Sequence, residues 1–152
     1  RDAAGVRGIS LNEGDYVVGA EKMEEGKNLL TVTENGYGKR TALPEYLRTG
    51  PDGEKIPQSR GGKGLKNYNI TPKTGNIAGC RVVGDNDDVM IIENGGVIIR
   101  VPAASINVYK RDVQGVIVMR VDEGNKVVSI ERVEAEEAQE TQEIQETQEK
   151  PE

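Results

Sequence analysis

Short runs of apolar and β-branched residues, separated by polar turns, recur along the first 133 residues. The runs alternate with polar positions or hold four or five apolar residues, which is typical of strands. No segment before residue 133 keeps an apolar period of 3.6 residues for three turns, so no amphipathic helix is predicted. The body is therefore predicted to be all-β, with strands over 6–11, 16–20, 29–33, 77–83, 89–92, 97–101, 116–121 and 127–132.

Asn-Gly pairs lie between two pairs of these strands. Asn35-Gly36 follows the strand over 29–33, and Asn94-Gly95 follows the strand over 89–92. Asn and Gly tolerate the positive φ angles that a type I′ turn requires. Both positions are therefore predicted to be tight hairpin turns of that type.

One sequence register occurs three times along the chain. An arginine precedes a glycine by four residues at Arg1, Arg60 and Arg111, and each copy leads into a β run, a polar turn and a second β run. A second correspondence aligns residues 35–40 with residues 95–100. The chain is thus interpreted as the end of one unit (1–23), a second unit (24–83) and a third unit (84–133).

Units of about 50 residues with four short strands are typical of propeller blades. Two blades and part of a third do not close a ring, so a partial ring is predicted. The composition fits thin layers of short strands, because 35% of the residues are apolar, 3% are aromatic and 19 are glycines. The alternative is a small β-sandwich with accidental internal similarity.

The charge is divided between the body and the C-terminal tail. Residues 134–152 hold eight Glu and one Lys, so the remaining residues carry 19 basic and 18 acidic groups. The tail has almost no apolar residues and is predicted to be disordered. It either serves solubility alone, or it covers a basic surface and competes with an anionic partner.

Enzyme and membrane functions find little support in the sequence. There is no His, which removes the commonest general base and metal ligand, and the single Cys80 is interpreted as a small buried residue. Gly61-Gly62-Lys63-Gly64 lacks the Ser or Thr that follows the lysine of a nucleotide-binding loop. We therefore expect no catalytic residue, metal, cofactor or membrane span within these residues. One cysteine also fits a reducing, cytoplasmic compartment.

Basic residues are concentrated in one stretch of the body. Residues 39–73 hold eight basic and three acidic residues, whereas residues 84–99 hold four acidic residues and no basic one. Glycines beside Arg60 and Lys63 would let cations and backbone amides approach a phosphate together. The few aromatic residues argue against binding of single-stranded nucleic acid, and the lack of a recognition helix argues against recognition of base sequence. The predicted partner is therefore the backbone of duplex DNA, which the chain is expected to bend. The alternative is a solvated loop with ordinary surface lysines.

Several of these segments resemble the C-terminal domain of the gyrase A protein of DNA gyrase. They are residues 34–41 (Glu-Asn-Gly-Tyr-Gly-Lys-Arg-Thr), 58–64 (Gln-Ser-Arg-Gly-Gly-Lys-Gly), 5–9 and 114–118. The resemblance covers about residues 1–133. It implies a β-pinwheel, a propeller-like ring in which neighbouring blades exchange strands and a basic rim wraps duplex DNA. The related protein of topoisomerase IV is the nearest alternative, followed by a protein-interaction propeller without DNA binding.

The family's basic box, Gln-Arg/Lys-Arg-Gly-Gly-Arg/Lys-Gly, is matched except at Ser59. The matching residues are Gln58, Arg60, Gly61, Gly62, Lys63 and Gly64. The resemblance implies DNA contact by Arg60 and Lys63, and the repeated basic register extends the candidate contacts to Lys66, Lys39, Arg40, Arg100, Lys110 and Arg111. It also implies that ATP, magnesium and the cleavage tyrosine belong to other parts of an assembly of two gyrase A and two gyrase B proteins. That assembly introduces negative supercoils into bacterial DNA.

Overall fold

The computed structural model describes residues 2–134, which form short antiparallel strands and two short 3-10 helices. The strands are β1 (Asn28–Thr33), β2 (Tyr37–Ala42), β3 (Arg48–Thr49), β4 (Lys55–Ile56), β5 (Ile77–Val83), β6 (Asp88–Glu93), β7 (Ile98–Pro102), β8 (Val116–Ile117) and β9 (Val127–Val133). The 3-10 helices are Leu43–Tyr46 and Ala103–Ser105. Residues 2–134 contain no α-helix, which confirms the prediction of an all-β body.

The strands form two larger sheets and one small hairpin. The first sheet has the order β5-β1-β2-β8, the second has the order β7-β6-β9, and β3 pairs with β4. In the first sheet, β8 of the third unit pairs with β2 of the second unit, with Ile117 opposite Tyr37 and Val116 opposite Gly38. Neighbouring units therefore exchange a strand.

The two long hairpins have the same loop, and it differs from the predicted one. Gly36 N donates to Thr33 O (3.1 Å) and Gly96 N donates to Glu93 O (3.2 Å), and both glycines have positive φ (+85° and +95°). No non-glycine residue of 2–134 has positive φ, so the prediction of type I′ turns was wrong. Three residues separate Thr33 from Tyr37 and Glu93 from Val97, and the third of them is a left-handed glycine, a geometry that also suits the twist of paired strands.

The residue that opens each of these loops has the same role in both units. The Thr33 hydroxyl accepts a hydrogen bond from Tyr37 N (3.2 Å), and the Glu93 carboxylate accepts one from Val97 N (3.1 Å). These two positions are 60 residues apart, as the sequence repeat requires. The repeat is therefore visible in hydrogen bonding as well as in the residue pattern.

The glycines of the three-fold register share one backbone conformation. Gly5, Gly64 and Gly115 have φ angles of +72°, +79° and +74°, which lie in the left-handed region that favours glycine. The backbone therefore has the same left-handed conformation at the corresponding glycine of each repeat, although a strand follows directly only after Gly115.

The hydrophobic core lies between the two larger sheets. Leu30, Val32 and Val83 from the first sheet pack against residues of the second, among them Ile91 and Ile130, and all five are 2% exposed or less. Burying one aliphatic side chain of this size contributes about 1.5–3 kcal/mol. The packing of β5 against β9 thus joins the two units through apolar contacts.

The N-terminal segment differs from the prediction. No strand occurs in residues 2–23, so the strands predicted over 6–11 and 16–20 were wrong, and the strand predicted over 116–121 is limited to 116–117. Val6, Tyr16 and Val17 are exposed by 64–72%, because no described strand lies beside them to bury them. The tail predicted to be disordered lies, apart from Glu134, outside the described residues.

Candidate nucleic-acid interface

The segment 58–64, here called the basic loop, lies between β4 and β5. Arg60 and Lys63 are exposed, and Gly61 and Gly64 have left-handed φ angles of +81° and +79°. A β-carbon placed on Gly62 would have its nearest neighbour 3.8 Å away, so the loop is open to solvent on that side. Two cations therefore flank a stretch of accessible backbone.

Residues of the N-terminal segment form three hydrogen bonds with the backbone of the basic loop. Ser10 N donates to Gly62 O (2.8 Å), Ser10 Oγ donates to Gly61 O (2.7 Å), and Gly61 N donates to Gly8 O (2.9 Å). The carbonyls of Gly61 and Gly62 thus face the segment around Ser10. Sequence reasoning missed Gly8 and Ser10, because neither carries a pattern that marks it as a support.

Three successive backbone amides of the basic loop remain available to a ligand. The N–H groups of Gly62, Lys63 and Gly64 donate to no protein group among residues 2–134. Consecutive amides in a loop with left-handed residues form concavities that bind anions. The basic loop therefore has free backbone donors and the charges of Arg60 and Lys63 within one exposed segment.

Hydrogen bonds connect the residues that adjoin the basic loop on either side to two further cations. On one side, Arg48 Nε donates to Pro57 O (3.1 Å), which attaches the β3–β4 hairpin. On the other side, Arg111 Nη1 donates to Lys66 O (2.9 Å). We call the resulting set the cationic surface, and it consists of Arg48, Lys55, Arg60, Lys63, Lys66, Lys110 and Arg111.

The cationic surface carries charge that nearby carboxylates do not neutralise. Within the described part of the chain, none of its seven cations lies within 4.0 Å of a carboxylate oxygen. Six of the seven are exposed and Arg111 is half-buried. Arg48 and Lys55 contributed to the charge count from the sequence but were not singled out there, since only the fold places their hairpin beside the basic loop.

Lys39 lies beneath the cationic surface and is not part of it. Its side chain is fully buried, and its Nζ donates to Lys110 O (2.7 Å) and Arg111 O (2.6 Å) and lies 4.9 Å from the centre of the Tyr68 ring. Burial lowers the pKa of Lys39 to about 8, and Asp112 opposes that shift. This corrects the prediction that Lys39 contacts DNA, because its ammonium group is already bound inside the protein.

Arg40 is also internal. It is 7% exposed, its Nε donates to Ile106 O (2.6 Å) and its Nη1 lies 2.8 Å from Asp85 Oδ1. Its guanidinium group therefore holds the end of the second 3-10 helix against β2. This corrects the prediction of a DNA contact here as well.

Arg100 occupies the position of Arg40 in the next unit, but its surroundings are different. It lies on β7, and its Nε is 2.7 Å from Asp88 Oδ2. Within residues 2–134, no hydrogen bond links it to the basic loop. The structure therefore does not bring Arg100 together with the other predicted contacts, whereas the hydrogen bond from Arg111 to Lys66 O joins the segment that holds Lys110 and Arg111 to the segment that holds Arg60, Lys63 and Lys66.

Among residues 2–134, the single cysteine is partly buried and no cluster of metal-ligating side chains occurs. Cys80 is half-buried opposite Thr31, and burial raises the pKa of its thiol, which does not favour a nucleophile. Residues 2–134 contain no cluster of three metal-ligating side chains. No helix within these residues has the length and apolar character needed to cross a membrane.

Comparison with known proteins identifies the family. The model of the DNA gyrase C-terminal domain, beta-propeller, matches residues 1–22, 27–84 and 87–134. The chain belongs to this family. The two sheets are thus propeller-like blades with an exchanged strand, and the sandwich alternative is set aside.

Gyrase A proteins are among the similar sequences. The gyrase A protein of Staphylococcus epidermidis is 43% identical over 135 residues, and that of Staphylococcus aureus is 40% identical over 135 residues. Each alignment covers 88% of this chain and 14% of the relative. The chain thus corresponds to a small part of those proteins.

Two solved structures share the fold. The C-terminal domain of DNA topoisomerase IV has a TM-score of 0.75 at 23% identity, over 97% of this chain and 44% of that one. The DNA gyrase A C-terminal domain has a TM-score of 0.74 at 27% identity, over 86% of this chain and 41% of that one. The first likeness supports the fold alone.

Proposed function

We propose that this chain binds the backbone of duplex DNA without sequence preference, through the cationic surface, and bends the duplex. The observation that carries the proposal is the basic loop, where Arg60 and Lys63 lie beside or among three backbone amides, those of Gly62, Lys63 and Gly64, that donate to no group of residues 2–134. The five further cations of the cationic surface extend the positive charge over the second and third units.

The mechanism is the displacement of condensed counterions by Lys and Arg side chains. Each phosphate contact releases cations into solution, so the affinity falls with salt by about 0.9 logarithmic units per contact for each tenfold rise in salt. The amides of Gly62, Lys63 and Gly64 would donate to phosphate oxygens, which fixes position without reading sequence. Bending a site of 20–30 base pairs costs on the order of 1–6 kcal/mol, and added contacts along a curved surface can offset that cost.

In the whole protein, we propose that this DNA binding supports negative supercoiling by a cytoplasmic type II topoisomerase. The chain would act within a gyrase A protein, together with gyrase B proteins. We assign no cofactor to residues 2–134, and we place ATP and magnesium elsewhere in that assembly. The 40–43% identity to gyrase A proteins favours gyrase over topoisomerase IV.

The proposal is tested by charge reversal at the basic loop. The double variant Arg60→Glu/Lys63→Glu should bind a fluorescein-labelled 40-base-pair duplex at least about tenfold more weakly at 100 mM salt, measured by fluorescence anisotropy. Its salt dependence should also fall by about 1.8 logarithmic units, because two contacts are lost.

The matched control reverses two cations outside the cationic surface, Arg100→Glu and Lys126→Glu. Both double variants change the net charge by the same amount. They differ in the location of the change and in the ion pairs of the control cations with Asp88 and Glu34, so each variant is first shown to be folded by circular dichroism. Equal losses in the two double variants would contradict a localised interface. Absence of binding by the folded, unaltered chain would favour the protein-interaction alternative.

A further inference from the structure

The loop 110–114 joins two stretches of backbone that are both held by β2. Before the loop, Tyr109 N donates to Arg40 O (2.8 Å). After it, Val116 pairs with Gly38, and Val118 N donates to Gly36 O (2.8 Å). Between these contacts the chain leaves the edge of β2, and the loop carries two members of the cationic surface.

Lys39 spans the gap between β2 and this loop. Its Nζ binds the carbonyl oxygens of both Lys110 and Arg111, at 2.7 and 2.6 Å. Arg111 in turn donates to Lys66 O (2.9 Å) across the boundary between the units. A single buried ammonium group therefore lies at the centre of the contacts that bring Lys66, Lys110 and Arg111 together.

The surroundings of Lys39 explain why a lysine suits this position. The ring of Tyr68 covers one side of the ammonium group at 4.9 Å, and the charges of Asp112, Glu45 and Arg111 act on it. An ammonium group has three N–H donors, and two of them are used by the loop carbonyls. Methionine would fill a similar volume but would leave both carbonyls without this donor.

We propose that Lys39 is a positioning residue, which holds the loop 110–114 against β2 and thereby places Lys110 and Arg111 beside Lys66 for contact with phosphate. The expected effect of Lys39 on DNA affinity rests on the proposed function. Its expected effect on the attachment of the loop 110–114 to β2 does not involve DNA, so the positioning role and the proposed function can fail separately.

The first test is a double-mutant cycle on DNA affinity. Lys39→Met should weaken duplex binding about five- to tenfold at 100 mM salt, whereas Lys126→Met, which removes an exposed lysine paired with Glu34, should change it less than twofold. In a Lys110→Ala/Arg111→Ala background, Lys39→Met should cause no further loss. An undiminished further loss in that background would overturn the inference.

The second test is amide hydrogen exchange at pH 7 without DNA. Lys39→Met should lower the protection of the Tyr109 and Val118 amides at least about tenfold, while amides in β6 and β9 keep theirs. Unchanged protection at Tyr109 and Val118 would overturn the inference, even if the chain binds DNA. Lowered protection in a chain that does not bind DNA would support the positioning of the loop and contradict only the proposed function.

Discussion

Substituting alanine for Gly5, Gly64 and Gly115 separates two contributions to the free energy of unfolding, the strain of a left-handed backbone and the steric overlap with neighbouring atoms. Gly5, Gly64 and Gly115 share φ angles between +72° and +79°. At each position, an ordered left-handed alanine costs about 1–2 kcal/mol. The three substitutions therefore form a series with similar φ angles, in which the neighbouring atoms and the packing of the surrounding segment differ.

The atoms near each of these glycines predict a different loss of stability for each substitution. No atom lies within 4 Å of a β-carbon on Gly5, and the nearest atom to one on Gly64 is the flexible Ile9 Cδ1 at 3.2 Å. A β-carbon on Gly115 would lie far inside van der Waals contact with the Gly38 carbonyl oxygen and 2.9 Å from Tyr68 Oη. The Gly38 carbonyl belongs to β2, so it can move only if the pairing with β8 opens.

We expect Gly115→Ala to lower the free energy of unfolding by about 3–5 kcal/mol, since strain and lost strand pairing add to the conformational cost. Gly64→Ala should cost about 1–2 kcal/mol. Gly5→Ala should cost less than about 1 kcal/mol, because its exposed segment makes few contacts.

Urea unfolding followed by far-ultraviolet circular dichroism measures all three values at pH 7. Equal losses, or a loss below about 1 kcal/mol for Gly115→Ala, would refute the reasoning that the exchanged strand holds the two units together.

Three further predictions concern the supports of the cationic surface. Ser10→Ala removes one hydrogen bond to Gly61 O, so it should increase amide exchange at Gly61 and cost about 0.5–1.5 kcal/mol in urea unfolding. Arg40→Met should cost more than about 2 kcal/mol because it leaves buried carbonyls unbonded, whereas Asp85→Asn should cost less than about 1 kcal/mol because Asp85 is exposed. The lowered pKa of Lys39 means that the folded chain releases this proton at lower pH than the unfolded chain, so stability relative to Lys39→Met should rise between pH 8 and pH 10.5 by up to about 3 kcal/mol in urea titrations.

The strands that depend on local pattern were predictable from the sequence. Alternation of Val and Ile located β6, β7 and β9, and the repeated glycines marked three positions of left-handed backbone. β8 and the N-terminal segment were less predictable, because a strand also needs a neighbouring edge with which to pair. The same sequence register forms two strand residues after Gly115, where β2 lies beside it, and none after Gly5.

The location of the site was predictable only in part. The basic loop could be recognised from its glycines and charges, because both features are local. The burial of Lys39 and Arg40 could not, since Gly-Lys-Arg-Thr looks like an exposed polar strand. Their partner carbonyls lie 66–72 residues further along the chain, and only the fold brings them together.

The most direct test of DNA binding is the salt dependence of the affinity of the unaltered chain for duplexes of different sequence. With four to seven of the surface cations in contact with phosphates, the plot of log K against log salt should have a slope of about −4 to −6, the same for every sequence. Fluorescence anisotropy between 50 and 300 mM salt would measure it. A slope near zero, or no binding at 50 mM salt by a chain shown to be folded, would contradict a phosphate-binding function for the cationic surface.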